Sequence, residues 1–449
     1  MGRMNTLLVP GKDIDLVMPT YKGAAIYGVS WTKADVALTR TNGAVGFTAE
    51  AGVDAGVVTN DFDTAEIFSE FTEETDADGN VFVRIPKFYI RKTDSPTLKT
   101  WQICKQRMPG SYVPWCFINF TTGAELDYVD VGKYVAGNNG TKLTSVADVY
   151  PTINQNIVTF RTWAENNGAG YQQLDIHVYD MLQVLFTIEF ATLDSQSIMY
   201  GWATGTYGST ELLTADTAAA NTIVVSNTTG AKFAVGQPVG LGTSQGDNQI
   251  FYGRVITQID VDTPGAGSTT ITVDGAAFNA STGNYLYNVG WKSGFSSGIA
   301  ASSGSLANNT NGKNPMVYRG IENIYGSVWQ FVDGLNINAR QAWYCKDADD
   351  YASNVFAAPY EKIGYVNKDA SGYVKYMGFD PANPTVELPV DVSANYYKDY
   401  YYQSTGQYIA IVGGGWVSGG YAGLWVWHLY NSSATTYVLF GGRLLKKAL

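Results

Sequence analysis

The chain has 449 residues, of which 15% are charged, well below the roughly 25% of an average globular domain. Its formal net charge of −11 argues against a protein that binds nucleic-acid phosphates and against one that docks on anionic membranes. Glycine (49 residues) and tyrosine (31 residues) are abundant, which favours strands and turns over long surface helices.

The length predicts two or three domains of ordinary size. No run of about 18 apolar residues occurs, so no transmembrane helix is expected, and the opening MGRMNTLLVPGKDID predicts no secretory signal. The three cysteines, Cys104, Cys116 and Cys345, have no metal-ligand spacing, which favours synthesis in a reducing cytoplasm. A protein made there can still act outside the cell if it leaves as part of a particle.

The first part of the chain, residues 1–75, is predicted to be β-rich, because short β-prone runs alternate with Gly and Asn-Gly. Asp78-Gly79 then predicts a tight turn before a strand with Val81, Val83 and Ile85. The segment 76–80 faintly resembles a calcium loop. It lacks the later ligands of such a loop, so a hairpin turn is the preferred interpretation.

One long helix is predicted in LDIHVYDMLQVLFTIEFATLDSQ, residues 174–196. Asp175 can cap it, and apolar residues recur at spacings of three and four. Further apolar residues widen this face, so the helix is expected to be mostly buried. His177 is expected to pack in the core rather than bind a metal, since no residue of metal-ligand type lies near it in sequence.

Residues 209–289 differ from the rest in their sequence pattern, which predicts short strands between Gly-, Asn- and Ser-rich turns. Their flanks, YGWATGTYG and VGWKSGFSSG, both contain a Gly-Trp pair. We interpret the segment as a small all-β module inserted into a parent domain, because insertions succeed at such loop sites. The alternative is that these strands extend the sheet of the parent domain.

The most specific pattern is RGIENIYGSVWQFVDGLNI, from Arg319 to Ile337. Trp329 is expected to pack in the hydrophobic core. Arg319, Glu322 and Asp333 are expected to form a buried hydrogen-bonded network that fixes the loops, because buried charges normally pair. A catalytic role for these charges is the alternative.

This pattern resembles the signature of the C-type-lectin-like fold of formylglycine-generating enzymes and of variable proteins of diversity-generating retroelements. Where that family carries GN-x-W-E-W, this chain has GSVWQF (326–331); where it ends in GG-x-W and G-F-R, the chain has GGW (414–416) and GGR (441–443). The predicted helix and the strand FVRIPKFYIRK are similar to those of phage tail proteins with this fold.

The resemblance covers about residues 80–208 and 290–449 and implies an α+β class. It predicts a C-type-lectin-like domain over 76–208 and 290–449, interrupted by the β module at 209–289. Residues 1–75, which loosely resemble phage tail segments, would then serve attachment or oligomerisation.

Enzyme function is not expected. The formylglycine-generating branch works through paired cysteines near the C-terminus, and no cysteine follows Cys345. The iron-dependent sulfoxide synthases of the fold need a set of histidines, whereas this chain has only His177 and His428. No nucleophile-elbow or phosphate-binding glycine pattern occurs.

The resemblance instead implies a display surface at the C-terminus, over GGGWVSGGYAGLWVWHLYNSSATTYVLFGGRLL (413–445). Trp416 and Arg443 would belong to the fixed framework. Tyr and Trp give stiff contact area at low entropic cost, and Ser, Asn and Gly give adaptable polar contacts. The expected ligand-binding residues are Tyr421, Trp425, His428, Tyr430, Asn431, Thr436 and Tyr437. The alternative is that these aromatic residues belong to the core or to a subunit interface.

We therefore predict a phage or prophage tail-tip receptor-binding protein, made in the bacterial cytoplasm and carried in the virion. Its expected partners are a bacterial surface protein or glycan, other tail proteins and two further copies in a homotrimer, with neither nucleic acid nor membrane insertion. The alternative is a structural virion protein whose aromatic face packs against neighbouring subunits. Retroelement diversification of the C-terminus would act at adenines, which the tryptophan codon lacks.

No cofactor and no metal site are predicted. Asp347, Asp349 and Asp350 supply oxygen ligands of the kind that calcium prefers. A solvated acidic loop is the preferred interpretation of this cluster.

Overall fold

The computed structural model describes residues 24–34, 36–246 and 249–448, without the side chains of residues 365 and 366. Residues 1–23 and residue 35 of the expected attachment region, 1–75, lie outside this range. Short strands in several sheets dominate the described residues and helices are few. This agrees with the predicted α+β class in its coarse form, a mostly-β protein with few helices.

The long predicted helix is confirmed. The helices are α1 (Ile157–Glu165), α2 (Ile176–Phe190), α3 (Ser195–Ile198) and α4 (Asn227–Gly230). Asp175 caps α2 by accepting a hydrogen bond from the backbone N of Val178 at 2.8 Å, and every residue of α2 is buried. The helix ends six residues before the predicted end, because Ala191 adopts a left-handed conformation with φ 50°.

The strands before the module belong to four sheets. They are β1 (Ile26–Trp31), β2 (Thr39–Asn42), β3 (Gly52–Val53), β4 (Thr72–Thr75), β5 (Val81–Pro86), β6 (Tyr89–Asp94), β7 (Lys99–Cys104), β8 (Tyr128–Gly132), β9 (Gly137–Asn138), β10 (Leu143–Thr144) and β11 (Tyr171–Gln173). The predicted hairpin at Asp78-Gly79 is confirmed, because β4 and β5 pair in antiparallel fashion across it.

The N-terminal segment shares sheets and core with the rest of the chain. Strands β1 and β2 belong to a four-stranded sheet of order β2-β1-β7-β6. Val29, Trp31 and Phe62 lie in the same hydrophobic cluster as the residues of α2. Within residues 24–75, therefore, the packing shows no boundary at residue 75, and this part of the expected attachment region is integral to the main body.

The described residues of 213–288 have sheets and a core of their own. Their strands are β12 (Thr217–Ala220), β13 (Thr222–Ser226), β14 (Pro238–Gly242), β15 (Phe251–Val261), β16 (Ser268–Val273), β17 (Phe278–Ala280) and β18 (Tyr285–Asn288). One hydrophobic cluster draws its buried members only from this segment. The flanks meet, because Trp202 Nε1 donates to the carbonyl of Val289 at 2.9 Å and the rings of Trp202 and Trp291 are 5.7 Å apart. The two ends of the segment therefore lie close together.

Eight of the remaining strands build the largest sheet. They are β19 (Gly304–Ser305), β20 (Met316–Tyr318), β21 (Ile321–Glu322), β22 (Trp329–Asn338), β23 (Gln341–Tyr344), β24 (Glu361–Val366), β25 (Gly372–Tyr373), β26 (Tyr376–Asp380), β27 (Asn383–Asp391), β28 (Tyr400–Gln403), β29 (Gln407–Val412), β30 (Trp427–Asn431), β31 (Phe440–Gly441) and β32 (Leu444–Lys447).

This eight-stranded sheet has the order β24-β23-β22-β29-β30-β28-β25, with β31 paired to β22. Helix α2 packs against β22 and also against β1 and β7 of the four-stranded sheet. The helix therefore joins the N-terminal and C-terminal halves around one core. Among the described residues, no helix is both long and apolar enough to cross a membrane.

Candidate functional site

The outer side of β28 and β30 carries a row of tyrosines. Side chains alternate along a strand, so Tyr400 and Tyr402 share one face of β28 while the buried Tyr401 takes the other. The parallel pairing of the two strands places Tyr402 opposite His428. On β30 the same alternation puts His428 and Tyr430 on this outer side.

Two further tyrosines complete the surface. Tyr373 of β25 lies 5.3 Å from Tyr400 and 5.6 Å from Tyr421, measured between ring centroids. Tyr400 lies 4.8 Å from Tyr421 and 4.5 Å from Tyr402. Tyr402 and Tyr430 are 6.3 Å apart. We call these five residues, Tyr373, Tyr400, Tyr402, Tyr421 and Tyr430, the tyrosine face.

The tyrosine face is open to solvent. Tyr421 is 44% exposed and Tyr430 is 41% exposed, and the other three members are partly buried. Tyrosine and tryptophan rings are enriched in the energetic centres of protein interfaces. A continuous row of such rings is therefore a candidate contact surface.

His428 lies beneath the tyrosine face. It is 7% exposed, with its ring 3.9 Å from Tyr430 and 5.1 Å from Trp329. The amide of Asn431 donates to His428 Nδ1 at 2.7 Å, so the proton of the neutral ring sits on Nε2. Burial lowers the pKa of His428 to about 3, and the imidazole stays neutral at physiological pH.

The segment that joins Tyr421 to β30 is clamped onto α2. Tyr179 Oη and Gln183 Nε2 both donate to the carbonyl of Leu424 at 2.8 Å. The backbone N of Trp425 donates to Asp399 Oδ2 at 2.6 Å. These bonds fix the backbone directly below the exposed rings, so the tyrosines stand on a rigid base.

The glycines before this segment are required by its backbone. Gly413 has φ +87°, and a Cβ on it would come within 3.1 Å of Tyr325 Cα. Gly414 has φ +80°, and a Cβ there would come within 2.8 Å of Ala422 Cβ. Both glycines allow the chain to leave β29 and turn back under the tyrosine face, which side-chain-bearing residues would do only with strain.

The last predicted contact residues lie on a neighbouring surface. Tyr437 is 41% exposed, and Thr436 is also exposed. The ring of Tyr437 lies 5.5 Å from Phe440 and 6.5 Å from Tyr207, which precedes the module. Tyr207 in turn lies 5.8 Å from Tyr287 of β18. Aromatic contacts thus connect the C-terminal segment with β18.

Of the seven predicted ligand-binding residues, three are exposed tyrosines, Thr436 is exposed and Asn431 is partly exposed. Trp425 was placed wrongly on this surface. It is 3% exposed and packs between Phe186 and Tyr397, with ring centroids 5.9 and 5.7 Å away. His428 is also largely covered and supports the face from below.

Sequence reasoning missed three members of the tyrosine face: Tyr373, Tyr400 and Tyr402. Tyr400 and Tyr402 lie in the tyrosine-rich stretch NYYKDYYYQS, residues 395–404. The alternation Tyr400-x-Tyr402 was a signal for one face of a strand. The missing information was the partner strand, because β28 pairs with β30 across more than twenty intervening residues.

The charged residues of the motif are buried, but the prediction of one shared network was wrong. Arg319 pairs with Glu189 of α2, Nη2 to Oε1 at 2.6 Å, and with Asp63 at 2.8 Å. Asp333 pairs instead with Arg161 of α1 at 2.7 Å.

Glu322 has a third set of partners. Its carboxylate accepts hydrogen bonds from the backbone N of Ser296 at 2.8 Å and of Gly294 at 3.1 Å. The three charges of the motif therefore fix three separate places in the fold. Burial raises the pKa of Glu322, and these hydrogen bonds lower it. The effect of burial is larger, so the pKa lies above the usual value.

The remaining framework residues are in the core. Trp329 and Trp416 are 6% and 1% exposed and belong to the same hydrophobic cluster. Arg443 is 1% exposed and donates to backbone carbonyls, those of Glu322 at 2.6 Å, Asn323 at 2.9 Å and Gly132 at 2.8 Å. Burial lowers the pKa of Arg443 to about 9. This arginine ties the end of the chain to the motif.

The acidic cluster that was considered for calcium forms a short turn. Asp347 Oδ1 accepts a hydrogen bond from the backbone N of Asp349 at 3.2 Å. In the part of the chain that the structure describes, no group of three or more His, Cys, Asp or Glu side chains is placed to hold a metal ion.

The fold and the site together define a strand-rich α+β protein with an exposed tyrosine face and an all-β segment that has its own core. No protein-family model matches the chain. A search of curated proteins also finds no match.

Proposed function

We propose that this protein is a phage or prophage tail-tip receptor-binding protein and that the tyrosine face contacts a bacterial surface molecule. In this proposal residues 76–208 and 290–449 are a C-type-lectin-like domain. The signature residues 326–331, 414–416 and 441–443 support that assignment, together with the buried positions of Trp329, Trp416 and Arg443.

The observation that carries the proposal is the tyrosine face on its rigid base. Five tyrosine rings lie in continuous contact, while the backbone below is held by hydrogen bonds to α2. Binding affinity is highest when the contact side chains are large and already ordered before binding. The rings and hydroxyl groups suit either a protein or a glycan.

The protein would act in the virion, as a homotrimer that joins other tail proteins. The N-terminal residues would provide that attachment, although residues 24–75 also form part of the core. A retroelement that diversifies the C-terminus would leave a related template repeat near the gene. Sequencing of the locus tests that part of the proposal separately.

The experiment compares assembly with adsorption. Phage particles carrying Tyr421→Ala/Tyr430→Ala are compared with wild-type particles and with particles carrying Tyr285→Ala, which removes a partly exposed tyrosine of the module. The proposal predicts normal particle yield and a loss of adsorption for the double variant only. Failure of assembly would favour the structural virion protein, in which the same face packs against neighbouring subunits.

A further inference from the structure

A hollow adjoins the tyrosine face at Tyr373. Its volume is about 340 Å³, within the range of small-molecule sites. Tyr373 and the partly exposed Tyr200 both line it, together with Gly420, the neighbour of Tyr421 in sequence. The row of tyrosine rings is therefore continuous with a concave surface.

A second hollow adjoins the first. Its volume is about 390 Å³, and Gln196 and Ser197 of α3 line both hollows. Further along, the exposed residues Asn308 and Thr310 line the second hollow. We call the two hollows together the groove. The groove extends the tyrosine face from β25 past α3 to the loop at 308–310.

The lining of the groove is tied to the base of the tyrosine face. Gln196 Nε2 donates to the carbonyls of Tyr200 and Gly419, each at 3.1 Å. Ser195 Oγ accepts a hydrogen bond at 3.0 Å from the backbone N of Leu424, the residue that α2 also clamps. The groove and the exposed tyrosines therefore form one preorganised surface, which lowers the entropic cost of binding an extended ligand.

The lining of the groove is nearly neutral, although the chain has a net charge of −11. Asp194 and Lys398 line the first hollow, and their charges offset each other. Among the described residues that line the second hollow, none is charged. A polyanion would meet a single cation here within a negatively charged protein, so the groove suits an uncharged ligand.

The polar side chains of the groove match hydroxyl groups. Asn395 in the first hollow and Asn308 in the second are exposed amides, which both donate and accept hydrogen bonds. A sugar hydroxyl also donates and accepts. The C–H face of a sugar ring packs on the flat apolar surface of an aromatic ring. A polysaccharide repeats both features along an extended chain, as the tyrosine face and the groove do along this surface.

We propose that the receptor is an uncharged polysaccharide of the bacterial surface, whose sugar rings stack on the tyrosine face while its hydroxyl groups bond to the amides of the groove. This inference rests on the proposed receptor-binding function and selects a glycan over a protein as the partner.

The test uses the full chain, fluorescently labelled, and a panel of bacteria. Cells of a strain that binds the protein are left untreated, digested with proteinase K, or oxidised with periodate, which cleaves the vicinal diols of sugars. Binding should survive the protease and be lost after periodate. Loss after the protease would overturn the inference and leave the receptor function standing. Absence of binding to every strain would overturn both.

The charge of the ligand is tested by competition. Polysaccharide extracted from the same strain is separated by anion exchange into an uncharged and an anionic fraction. The uncharged fraction should compete with the cells for the protein. Competition by the anionic fraction alone, or by neither fraction, would overturn the inference.

Variants locate the ligand in the groove. Asn308→Ala/Asn395→Ala removes two exposed amides, and we expect at least about tenfold weaker binding because their hydrogen bonds to the sugar are lost. Gln106→Ala removes an exposed amide outside the groove and is the matched control, which should bind like the wild type. Thermal unfolding verifies that both variants fold. Unchanged binding by the double variant would refute the role of the groove.

Discussion

The two histidines predict how stability changes in mild acid. His177 is fully buried: its Nε2 donates to the carbonyl of Cys345 at 2.8 Å and its Nδ1 accepts from the hydroxyl of Thr385 at 3.1 Å. Burial lowers the pKa of His177 to about 4 and that of His428 to about 3, against about 6.5 in the unfolded chain. The unfolded state therefore binds these protons more tightly.

The direction and the size of the change in stability follow from these pKa values. Above about pH 6.5 both histidines are neutral in both states and contribute no pH dependence. As the pH falls below 6.5, only the unfolded state gains the protons, so stability falls. At about pH 5, which is about 1.5 units below the unfolded pKa, the loss is about 2 kcal/mol for each histidine.

The assay is urea unfolding of the wild type and of His177→Gln at about pH 7.5 and pH 5. The substituted glutamine would retain an amide donor for the carbonyl of Cys345 but would not titrate. Between the two pH values the variant should lose about 2 kcal/mol less stability than the wild type. Carboxyl groups with raised pKa, such as Asp180 and Asp399, titrate in both proteins and cancel in this comparison. An equal loss in both proteins would refute the reasoning.

Two other predictions concern the core. Arg319→Met should lower the free energy of unfolding by about 3–5 kcal/mol, because it leaves the buried carboxylate of Glu189 without its cation. Adding Glu189→Leu should recover a large part of that loss in urea unfolding, and a further loss of similar size would contradict the pairing. The three cysteines are buried, so a thiol reagent should label none of them in the native protein and all three in denaturant. Rapid stoichiometric labelling without denaturant would show that the core is open.

Local patterns predicted part of the fold. The cap at Asp175 and the apolar periodicity predicted α2, and Asp78-Gly79 predicted the hairpin between β4 and β5. Each of these features depends on residues close together in sequence. Burial of Arg319 and Asp333 was also predictable, because the motif placed them among apolar residues.

The rest depends on contacts that are distant in sequence. Arg319 and Asp333 lie fourteen positions apart, yet their partners come from α2 and α1, which no local pattern reveals. Trp425 and Tyr421 have similar neighbours in sequence. Only the clamp of Leu424 and Trp425 onto the core decides that one ring is buried and the other exposed. Prediction of the tyrosine face would likewise have required knowledge that β28 pairs with β30.

The most direct test of the central claim is binding of the purified, labelled protein to a panel of bacteria. Wild type is compared with Tyr421→Ala/Tyr430→Ala and with the Tyr285→Ala control. Thermal unfolding first verifies that both variants fold like the wild type. If these tyrosines are energetic centres worth about 2 kcal/mol each, the double variant should bind a responsive strain on the order of 1,000-fold more weakly than wild type. Strain-selective binding that the double variant retains in full would contradict the claim that the tyrosine face contacts the receptor.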